Sequence, residues 1–399
     1  MKKLLTMTAV AMVAAATWAE RTGPWTKEKA WAWYDRQPWM RGCNYLPASA
    51  ANYADMWQEL GSEARFEEME SEFALAEKTG FNVMRLILHE QGFGIWYADH
   101  DGFMARFEKW LQLLAKHGMR AIVLLANDCS RPKELWKLPA PGVQPCDWGY
   151  HGGRKLSQHG SFPGAVGYTV LDDAELRPRF FAMCEEIVTK YRDDDRIVFW
   201  NVWNEPGNNN RGHLTCKDMR ELFERLWKID PKQPLAADVW TGGYGMGCPV
   251  KNPSERRQNL EKTMELAGKL SDIISYHSYS PYERQVTLIH NLKRFYGRPL
   301  VNTEWLARAT GCCVQDCYPL FFLEKVGAVN WGLVAGRYQT YEPWEGMWKE
   351  IESGRGHDYD MTKWLHDLFR PSHRPYDPKE IDLIKRFNRM ADEDFASGK

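Results

Sequence analysis

The stretch FWNVWNEP, residues 199–206, decides the fold of this chain. Its run of apolar residues indicates a strand that is buried on both faces, as the strands of parallel sheets are. Pro206 has no backbone N–H and cannot continue a hydrogen-bond ladder, so the strand is expected to end at Glu205. Glu205 would then lie at the carboxyl end of the strand, where open parallel sheets carry their pockets.

Short apolar segments of the same kind recur along the chain. Together with the strand above, the predicted strands are Met40–Pro47, Phe81–His89, Met119–Ala126, Arg196–Glu205, Pro234–Trp240, Asp272–Tyr279, Pro299–Trp305 and Gly327–Val334. Amphipathic stretches between them, with apolar residues at i, i+3, i+4 and i+7, predict helices. These are Glu63–Thr79, Phe103–His117, Asp173–Tyr191, Lys217–Ile229, Ser254–Leu270, Arg284–Tyr296 and Asp316–Val326.

Eight strands that alternate with helices predict a parallel sheet, and the number eight fits a closed (β/α)8 TIM barrel. A doubly wound open sheet would alternate in the same way, but no GxGxxG or P-loop follows the first strand. We therefore predict an α/β fold of the TIM-barrel type. Two connections are longer than a barrel needs, Asn127–Leu171 after strand three and Ala335–Tyr359 after strand eight. Loops of this length are usually functional, and both leave the strand ends where barrel active sites lie.

Residues 1–19 have the pattern of a secretory signal peptide. Two lysines precede the apolar run Leu4–Ala16, and small residues follow it, so cleavage is expected after Ala19. The run is shorter than the about 20 residues that span a bilayer, so we expect no membrane anchor. The mature part, residues 20–399, is predicted to be a single secreted or periplasmic domain that ends in a helix over Asp377–Phe395.

Composition excludes some classes of function. Lys and Arg number 52 against 53 Asp and Glu, and this balance argues against binding of nucleic acid. Nine cysteines are an odd number for an exported chain, so at least one thiol should be free. Cys312, Cys313 and Cys317 lack a Cys/His pair at zinc spacing, so local disulfides or buried thiols are expected there. Cys129 and Cys146 could bridge the long third loop. Nineteen tryptophans favour carbohydrate, since exposed indoles can stack on sugar rings.

A second carboxylate ends a later strand, in LVNTEW at residues 300–305. Strands four and seven lie on opposing sides of an eight-stranded barrel, so Glu205 and Glu304 can face each other across its mouth. Two facing carboxyls are what cleavage of a glycosidic bond requires. Their mutual repulsion should raise the pKa of one of them. The alternative, that both glutamates only form salt bridges, is less consistent with their corresponding positions at two strand ends.

These residues resemble glycoside hydrolase clan A, and most closely the family 5 cellulase and mannanase relatives. The Asn-Glu-Pro motif matches at residues 204–206 and the nucleophile strand at residues 303–305, and the resemblance runs through the barrel from Trp39 to Val334. It implies a retaining glycosidase with Glu205 as acid/base and Glu304 as nucleophile. No metal or other cofactor is implied, and the partner is an oligo- or polysaccharide.

The resemblance also implies roles for residues around the two glutamates. Arg85 matches the arginine that ends strand two and would hold Glu304 ionised through a charge-assisted hydrogen bond. His277 and Tyr279 match a His-x-Tyr motif at the end of strand six. Tyr279 would hydrogen-bond Glu304, while His277 would support the acid/base or the sugar. An edge ion pair for the arginine and a core position for the histidine are the alternatives.

Further residues are expected to bind substrate. By the same resemblance, Asn204 would donate to the 2-hydroxyl of the sugar, and Trp331 would form the floor of the −1 subsite, although a core tryptophan remains possible there. The other predicted substrate-binding residues are Asn127, Trp240 and, in the third loop, Trp148. Many family 5 members have a histidine at the end of strand three, where this chain has Asn127 and Asp128, so the sugar is left open.

Several functions stay open at this point. A retaining β-glycosidase could act on mannan, glucan, galactan or xylan. His151 and Arg154 in the third loop could instead suit an exo-acting enzyme on a modified or anionic host or algal glycan. A noncatalytic carbohydrate-binding barrel would usually lack one carboxylate. A metal-dependent hydrolase would need several histidines at strand ends, and beyond His89 and His277 there is little to bind a metal. We expect a monomer.

Overall fold

The computed structural model describes residues 21–146, 164–241, 251–252 and 254–398. It confirms the TIM barrel: eight parallel strands lie in the order β5-β4-β3-β2-β1-β8-β7-β6. The outer two strands, β5 and β6, meet through a parallel bridge between Val239 and Tyr276, which closes the barrel. The strands are β1 Arg41–Asn44, β2 Val83–Ile87, β3 Arg120–Asn127, β4 Ile197–Asn204, β5 Leu235–Ala237, β6 Ile274–His277, β7 Leu300–Trp305 and β8 Gly327–Trp331.

Each predicted strand and helix has a counterpart, with ends shifted by a few residues. The helices are α1 Lys27–Tyr34, α2 Tyr53–Trp57, α3 Ser62–Thr79, α4 His89–Ala98, α5 His100–Lys116, α6 Leu176–Lys190, α7 Thr215–Ile229, α8 Glu255–Leu270, α9 Tyr282–Tyr296, α10 Val314–Leu323, α11 Glu345–Glu352 and α12 Pro378–Ser397. The sequence did not predict α1, α2, α4 or α11. Helix α4 was missed because Gly92 and Gly94 lower its helix propensity, and α2 is too short to show a period.

The barrel interior has an apolar lower layer and a polar upper layer. Side chains two residues apart in a strand point to the same side, so Val83 lies below Arg85 and Phe199 below Asn201. The apolar layer is closed from beneath by helix α1 and the segment before it, through Trp25 and Trp33 among others. The polar layer holds fully buried Arg85, Asn201, Asp238, Ser275 and Thr303. A functional site above this layer therefore starts from a floor of hydrogen-bonding groups.

Both predicted long loops are present. Strand β3 ends at Asn127 and α6 begins at Leu176, while β8 ends at Trp331 and the loop after it carries α11. The described part of the first loop is fastened to helices α2 and α4 and their surroundings. Its contacts are Gly142 N to Gln58 Oε1 at 2.7 Å, Asn52 Nδ2 to Gln144 Oε1 at 3.0 Å and Trp136 Nε1 to Glu90 Oε2 at 2.8 Å. Among the helices of the described residues, none combines the length and apolar character needed to cross a bilayer.

Candidate active site

A cavity of about 400 Å³ opens at the carboxyl ends of the strands. The predicted site residues that line it are Asn127, Asn204, Glu205, Trp240, His277, Tyr279, Glu304 and Trp331. Arg85, also predicted, lies fully buried and reaches Glu304 by a hydrogen bond. The structure thus brings these residues together. Trp148 and the basic residues His151 and Arg154 lie outside the described residues.

Arg85 is the centre of the polar layer, because all five of its N–H groups have an acceptor. The acceptors are Asn201 Oδ1 for Nε at 2.8 Å, Asn44 Oδ1 and Glu304 Oε1 for Nη1 at 2.6 and 2.8 Å, and Asn204 Oδ1 and Asp238 Oδ2 for Nη2 at 2.6 and 2.9 Å. A buried guanidinium needs such complete pairing to remain charged without a large penalty. Arg85 therefore fixes Glu304 by a direct ion pair.

Sequence reasoning missed three partners of Arg85, which are Asn44, Asn201 and Asp238. The sequence did mark them, since each is a buried polar residue inside a strand or directly after one. Burial raises the pKa of Asp238, but the positive charges of His277 and Arg85 outweigh it and bring the pKa to about 2. Asp238 is thus ionised throughout the ordinary pH range and supplies a fixed negative charge beneath the cavity.

Glu304 lies at the carboxyl end of β7 and accepts a hydrogen bond at each oxygen. Arg85 Nη1 donates to Oε1 and the Tyr279 hydroxyl to Oε2, both at 2.8 Å. Tyr279 is held in turn by Thr310, whose hydroxyl donates to its carbonyl at 2.7 Å. The ring of Trp344 packs edge-on against the Tyr279 ring, with centroids 5.1 Å apart. These contacts leave Glu304 little freedom to rotate.

Glu205 follows the last residue of β4 with a left-handed backbone, φ +43°. Its Oε1 lies 2.9 Å from His277 Nδ1, and its Oε2 accepts from Asn208 Nδ2 at 2.6 Å and from the Cys129 thiol at 3.2 Å. The sequence did not predict Cys129 or Asn208 as site residues. The proposed bridge from Cys129 to Cys146 is wrong in this structure, where both thiols are free. The reason is that Cys129 turns towards the glutamate at the end of the neighbouring strand.

His277 lies between the carboxylates. Its Nδ1 is 2.9 Å from Glu205 and 3.4 Å from Glu304, and its Nε2 is 3.3 Å from Asp238. One oxygen of each glutamate and a nitrogen of His277 all lie within 4.8 Å of one another. Burial lowers the pKa of His277, but the charges of Glu304 and Asp238 outweigh it and raise the pKa to about 10. The imidazole is therefore protonated at neutral pH.

The two glutamates differ in pKa, as expected, but with an unexpected order. Burial raises the pKa of Glu304 despite the nearby positive charges of His277 and Arg85. Burial acts in the same direction on Glu205, yet the hydrogen bond and charge of His277 outweigh it and lower the pKa of Glu205. The reason is that His277 Nδ1 lies closer to Glu205, at 2.9 Å, than to Glu304, at 3.4 Å.

The family model for cellulases, described as glycosyl hydrolase family 5, matches residues 49–324. The chain belongs to glycosyl hydrolase family 5. It is therefore an O-glycosyl hydrolase, and its substrate is a glycan. No curated protein matches this family 5 hydrolase in sequence.

Solved structures similar to the hydrolase share its fold at low identity. The exo-β-1,4-mannosidase Op5Man5 from Opitutaceae bacterium strain TAV5 is 13% identical with a TM-score of 0.55, over 89% of this chain and 60% of that one. A GH5_18 variant from Streptomyces cattleya, in complex with Manβ1-4GlcNAc, is 11% identical with a TM-score of 0.55, over 88% and 80%. The family 5 mannosidase from Rhizomucor miehei is 13% identical with a TM-score of 0.51, over 90% and 94%.

Aromatic residues form much of the cavity wall of the hydrolase. Trp331 ends β8, and Trp240 follows β5, with its indole N–H donating to the Pro206 carbonyl at 3.0 Å. Trp344 before α11 also lines the cavity, although the sequence did not predict it as a site residue. Such rings offer apolar faces to a sugar. The predicted donor Asn204 is held by protein partners, since its Nδ2 donates to Asn127 Oδ1 at 2.9 Å.

Backbone strain surrounds the cavity of the hydrolase. His89, Glu205 and Leu306 have φ of +30°, +43° and +75°, in the left-handed region that costs non-glycine residues on the order of 1–3 kcal/mol each. His89 and Glu205 line the cavity, and Leu306 comes two residues after Glu304. Strain of this kind persists only where the surrounding contacts enforce it.

Within the described residues, one group of three side chains could hold a metal ion, formed by Glu205, His277 and Glu304. Metal binding needs a neutral imidazole, whereas the pKa of His277 is raised to about 10. A metal would also have to compete with Arg85 for Glu304. The chemistry of the group therefore favours proton transfer and charge stabilisation over metal ligation.

Proposed function

We propose that this family 5 hydrolase is a retaining β-glycosidase in which Glu205 is the acid/base and Glu304 the nucleophile. One observation supports it most, the approach of the two carboxyls to within 4.8 Å of each other and of His277. Retaining glycosidases hold their carboxyls about 5–5.5 Å apart, while inverting enzymes need about 6.5–9.5 Å to admit a water. The short approach favours direct attack by a carboxylate on the anomeric carbon.

In the first step, Glu205 gives its proton to the glycosidic oxygen while the bond from that oxygen to the anomeric carbon breaks. A carboxylate oxygen of Glu304 attacks the anomeric carbon from the opposite face and forms a glycosyl ester. Arg85 and Tyr279 orient Glu304 for this attack through their hydrogen bonds. The leaving alcohol takes the proton, so charge and atoms balance.

His277 supplies a route by which Glu205 gains that proton. The Nδ1 proton lies on a 2.9 Å contact with Glu205 Oε1. Moving it along this contact converts imidazolium and carboxylate into imidazole and carboxylic acid without a net change of charge. The lowered pKa of Glu205 in the present arrangement is thus compatible with its role as an acid.

In the second step, Glu205 as carboxylate takes a proton from a water that attacks the anomeric carbon of the ester. Glu304 leaves as a carboxylate, and Glu205 is protonated again for the next cycle. Two inversions at the same carbon give net retention. The rigid setting of Glu304 favours both displacements, because the ester and the free carboxylate occupy nearly the same place.

We propose β-mannosides, in particular β-1,4-linked ones, as the first substrates to test. Support comes from the names of the solved relatives, among which are an exo-β-1,4-mannosidase and an enzyme solved with Manβ1-4GlcNAc. Glucan, galactan and xylan remain the comparison substrates.

A second candidate is action at the chain end. It is favoured by the way the loop after β3 packs against helix α4 beside the cavity. A Cβ at Gly94 would come within 1.9 Å of the Pro139 carbonyl oxygen, and the Trp136 indole donates to Glu90, which lines the cavity. This packing would narrow one side of the cleft and favour substrates that end there.

The test uses Glu205→Ala and Glu304→Ala with aryl β-mannosides and β-glucosides. Both variants should lose turnover, and azide should restore part of the Glu304→Ala activity with an inverted glycosyl azide as product. Proton NMR of the first product of the wild type should show retention. Normal turnover by Glu304→Ala would overturn the assignment, and substrate binding without turnover by the wild type would favour a noncatalytic binding protein.

We also propose export, with cleavage after Ala19. Residues 1–20 lie outside the described residues, so the proposal depends on the lysines and the apolar run alone. Mass spectrometry of protein secreted by a bacterial host should find Glu20 at the N-terminus. Recovery of the full chain from the cytoplasm alone would contradict export, and gel filtration of the same sample tests for the expected monomer.

A further inference from the structure

We infer that Asp128 is a positioning residue for Glu205 and sets the direction from which the acid/base reaches the glycosidic oxygen. This inference rests on the proposed function. Asp128 comes directly after β3, and its side chain is fully buried. It is not among the residues that line the cavity, so any effect on the reaction must pass through the groups it holds.

Asp128 holds the turn that carries Glu205. Its Oδ2 accepts from the backbone N–H of Gly207 at 2.5 Å and from the hydroxyl of Thr215, which begins helix α7. Its own backbone N–H donates to the Asn204 carbonyl at 3.3 Å. One aspartate thus joins the end of β3, the turn after β4 and the start of α7.

Arg211 fixes the other side of the carboxylate. Its Nε forms an ion pair with Asp128 Oδ1 at 3.1 Å, and its Nη1 with Asp172 Oδ2 at 2.6 Å. Nη1 also donates to the Gly167 carbonyl at 2.7 Å. The side chain of Arg211 is 2% exposed. The turn is therefore fastened to the far part of the long loop after β3.

The turn needs such fastening because its backbone is in an unfavourable region. Glu205 has φ +43° and Gly207 φ +82°, and a Cβ at Gly207 would lie 2.9 Å from the Gly212 carbonyl oxygen. Left-handed backbone at a glutamate persists only if neighbouring contacts enforce it. Since the backbone sets where the side chain starts, release of the turn would move the Glu205 carboxyl.

A carboxylate suits this position better than an amide. It accepts two hydrogen bonds on one oxygen while the other faces the guanidinium. In Asp128→Asn, an amide N–H₂ would either face Arg211, donor to donor, or replace the acceptor for Gly207 and Thr215. The side chain keeps its volume in both cases, so the change is confined to charge and hydrogen bonding.

The experiment compares kcat/KM of Asp128→Asn for aryl β-glycosides with good and poor leaving groups. A 2,4-dinitrophenolate leaves without protonation, whereas a poor leaving group needs a well-placed acid. We expect a loss of about 10²-fold for poor leaving groups and nearly wild-type values for dinitrophenyl glycosides, as for a misplaced catalytic group. An equal loss on both substrates, or no loss, would overturn the inference.

The matched control is Asp272→Asn at the opposite end of the barrel. Asp272 is also fully buried, pairs with Arg21 at 2.5 Å and accepts from the backbone N–H groups of Trp25 and Leu235 at 2.6 and 2.8 Å. This variant should lose stability but show no dependence on the leaving group. If it shows the same dependence, the effect is general and positioning by Asp128 is refuted.

Two further variants keep the outcome decisive. Thr215→Val removes one hydroxyl donor to Asp128. Its loss of kcat/KM should be smaller than that of Asp128→Asn but should depend on the leaving group in the same way. If Asp128→Asn does not fold, the result for Thr215→Val tests the positioning role in its place. Glu205→Ala separates the two proposals. If kcat/KM of Glu205→Ala does not depend on the leaving group, the proposed function fails. If it depends on the leaving group in Glu205→Ala but not in Asp128→Asn and Thr215→Val, only the positioning role of Asp128 fails.

Discussion

Replacement of Arg85 by methionine tests the polar layer most directly. Arg85→Met keeps an unbranched chain in the barrel but removes all five N–H donors, leaving two carboxylates and three amide oxygens without them. Removing one partner of a buried ion pair costs about 3–5 kcal/mol. Because whole domains are stable by only about 5–15 kcal/mol, the variant should be strongly destabilised at pH 7.

The destabilisation by Arg85→Met should depend on pH. In the wild type the pKa of Asp238 is lowered from 3.8 to about 2, partly by Arg85, so its contribution to stability is present above about pH 3.8 and is lost as the pH falls towards 2. Without the guanidinium, protonation of Asp238 becomes less unfavourable. The loss of stability in the variant should therefore shrink between pH 7 and pH 4.

The assay is urea unfolding followed by circular dichroism at pH 7 and pH 4, with Arg85→Lys as the conservative control. Lysine keeps the charge and three donors, so its loss should be smaller than that of methionine. A loss below about 1 kcal/mol for Arg85→Met, outside the range for a buried ion pair, would refute the reasoning. A loss that is the same at both pH values would refute the part assigned to Asp238.

Three further predictions concern the site and the wall beside it. Tyr279→Phe removes a hydrogen bond to a carboxylate, worth about 1.5–3 kcal/mol, so kcat/KM on aryl glycosides should fall about 10–100-fold. Unchanged kcat/KM would contradict a role at the nucleophile. His277 has a folded pKa of about 10 against an ordinary 6.5, so its contribution to stability is complete below about pH 6.5 and is lost as the pH rises through 10. Urea midpoints from pH 6 to pH 10 should show this loss in the wild type and not in His277→Gln. The same pH dependence of the midpoint in both proteins would contradict the contribution of His277. Gly94→Ala would place a Cβ 1.9 Å from the Pro139 carbonyl oxygen and should lower the free energy of unfolding by about 1–3 kcal/mol. Gly346→Ala, with open space around its Cβ, is the control and should not destabilise α11. Equal melting temperatures for the two variants would refute the close packing at Gly94.

Much of the fold and part of the site could be predicted because they depend on local pattern. Apolar runs of a few residues and helices of regular period place the strands in order, and the number of strands limits the topology to a barrel. Pro206 marks the end of β4, so Glu205 could be placed at a strand end before any contact was known. Glu304 followed from the same pattern in β7, whereas the place of Trp331 in the site was implied only by the resemblance to family 5.

Contacts between distant parts of the chain were decided only by the tertiary structure. Arg85 and Glu304 are 219 residues apart, and closure of the barrel brings them to 2.8 Å. The same closure puts Asp238 under His277 and Cys129 against Glu205, which no spacing in the sequence encodes. Helix α4 forms despite two glycines because the loop after β3 packs on it and outweighs local propensity.

The sequence by itself thus determined which residues end the strands of this family 5 hydrolase, since strand and helix periods are properties of neighbouring residues. The tertiary structure decided which of those strand ends meet and what pKa values their ionisable side chains have. Both depend on burial and on charges brought together from remote segments. His277 shows the difference most clearly. Its place in a His-x-Tyr motif could be read from the sequence, whereas its raised pKa comes from carboxylates at the carboxyl ends of β4, β5 and β7.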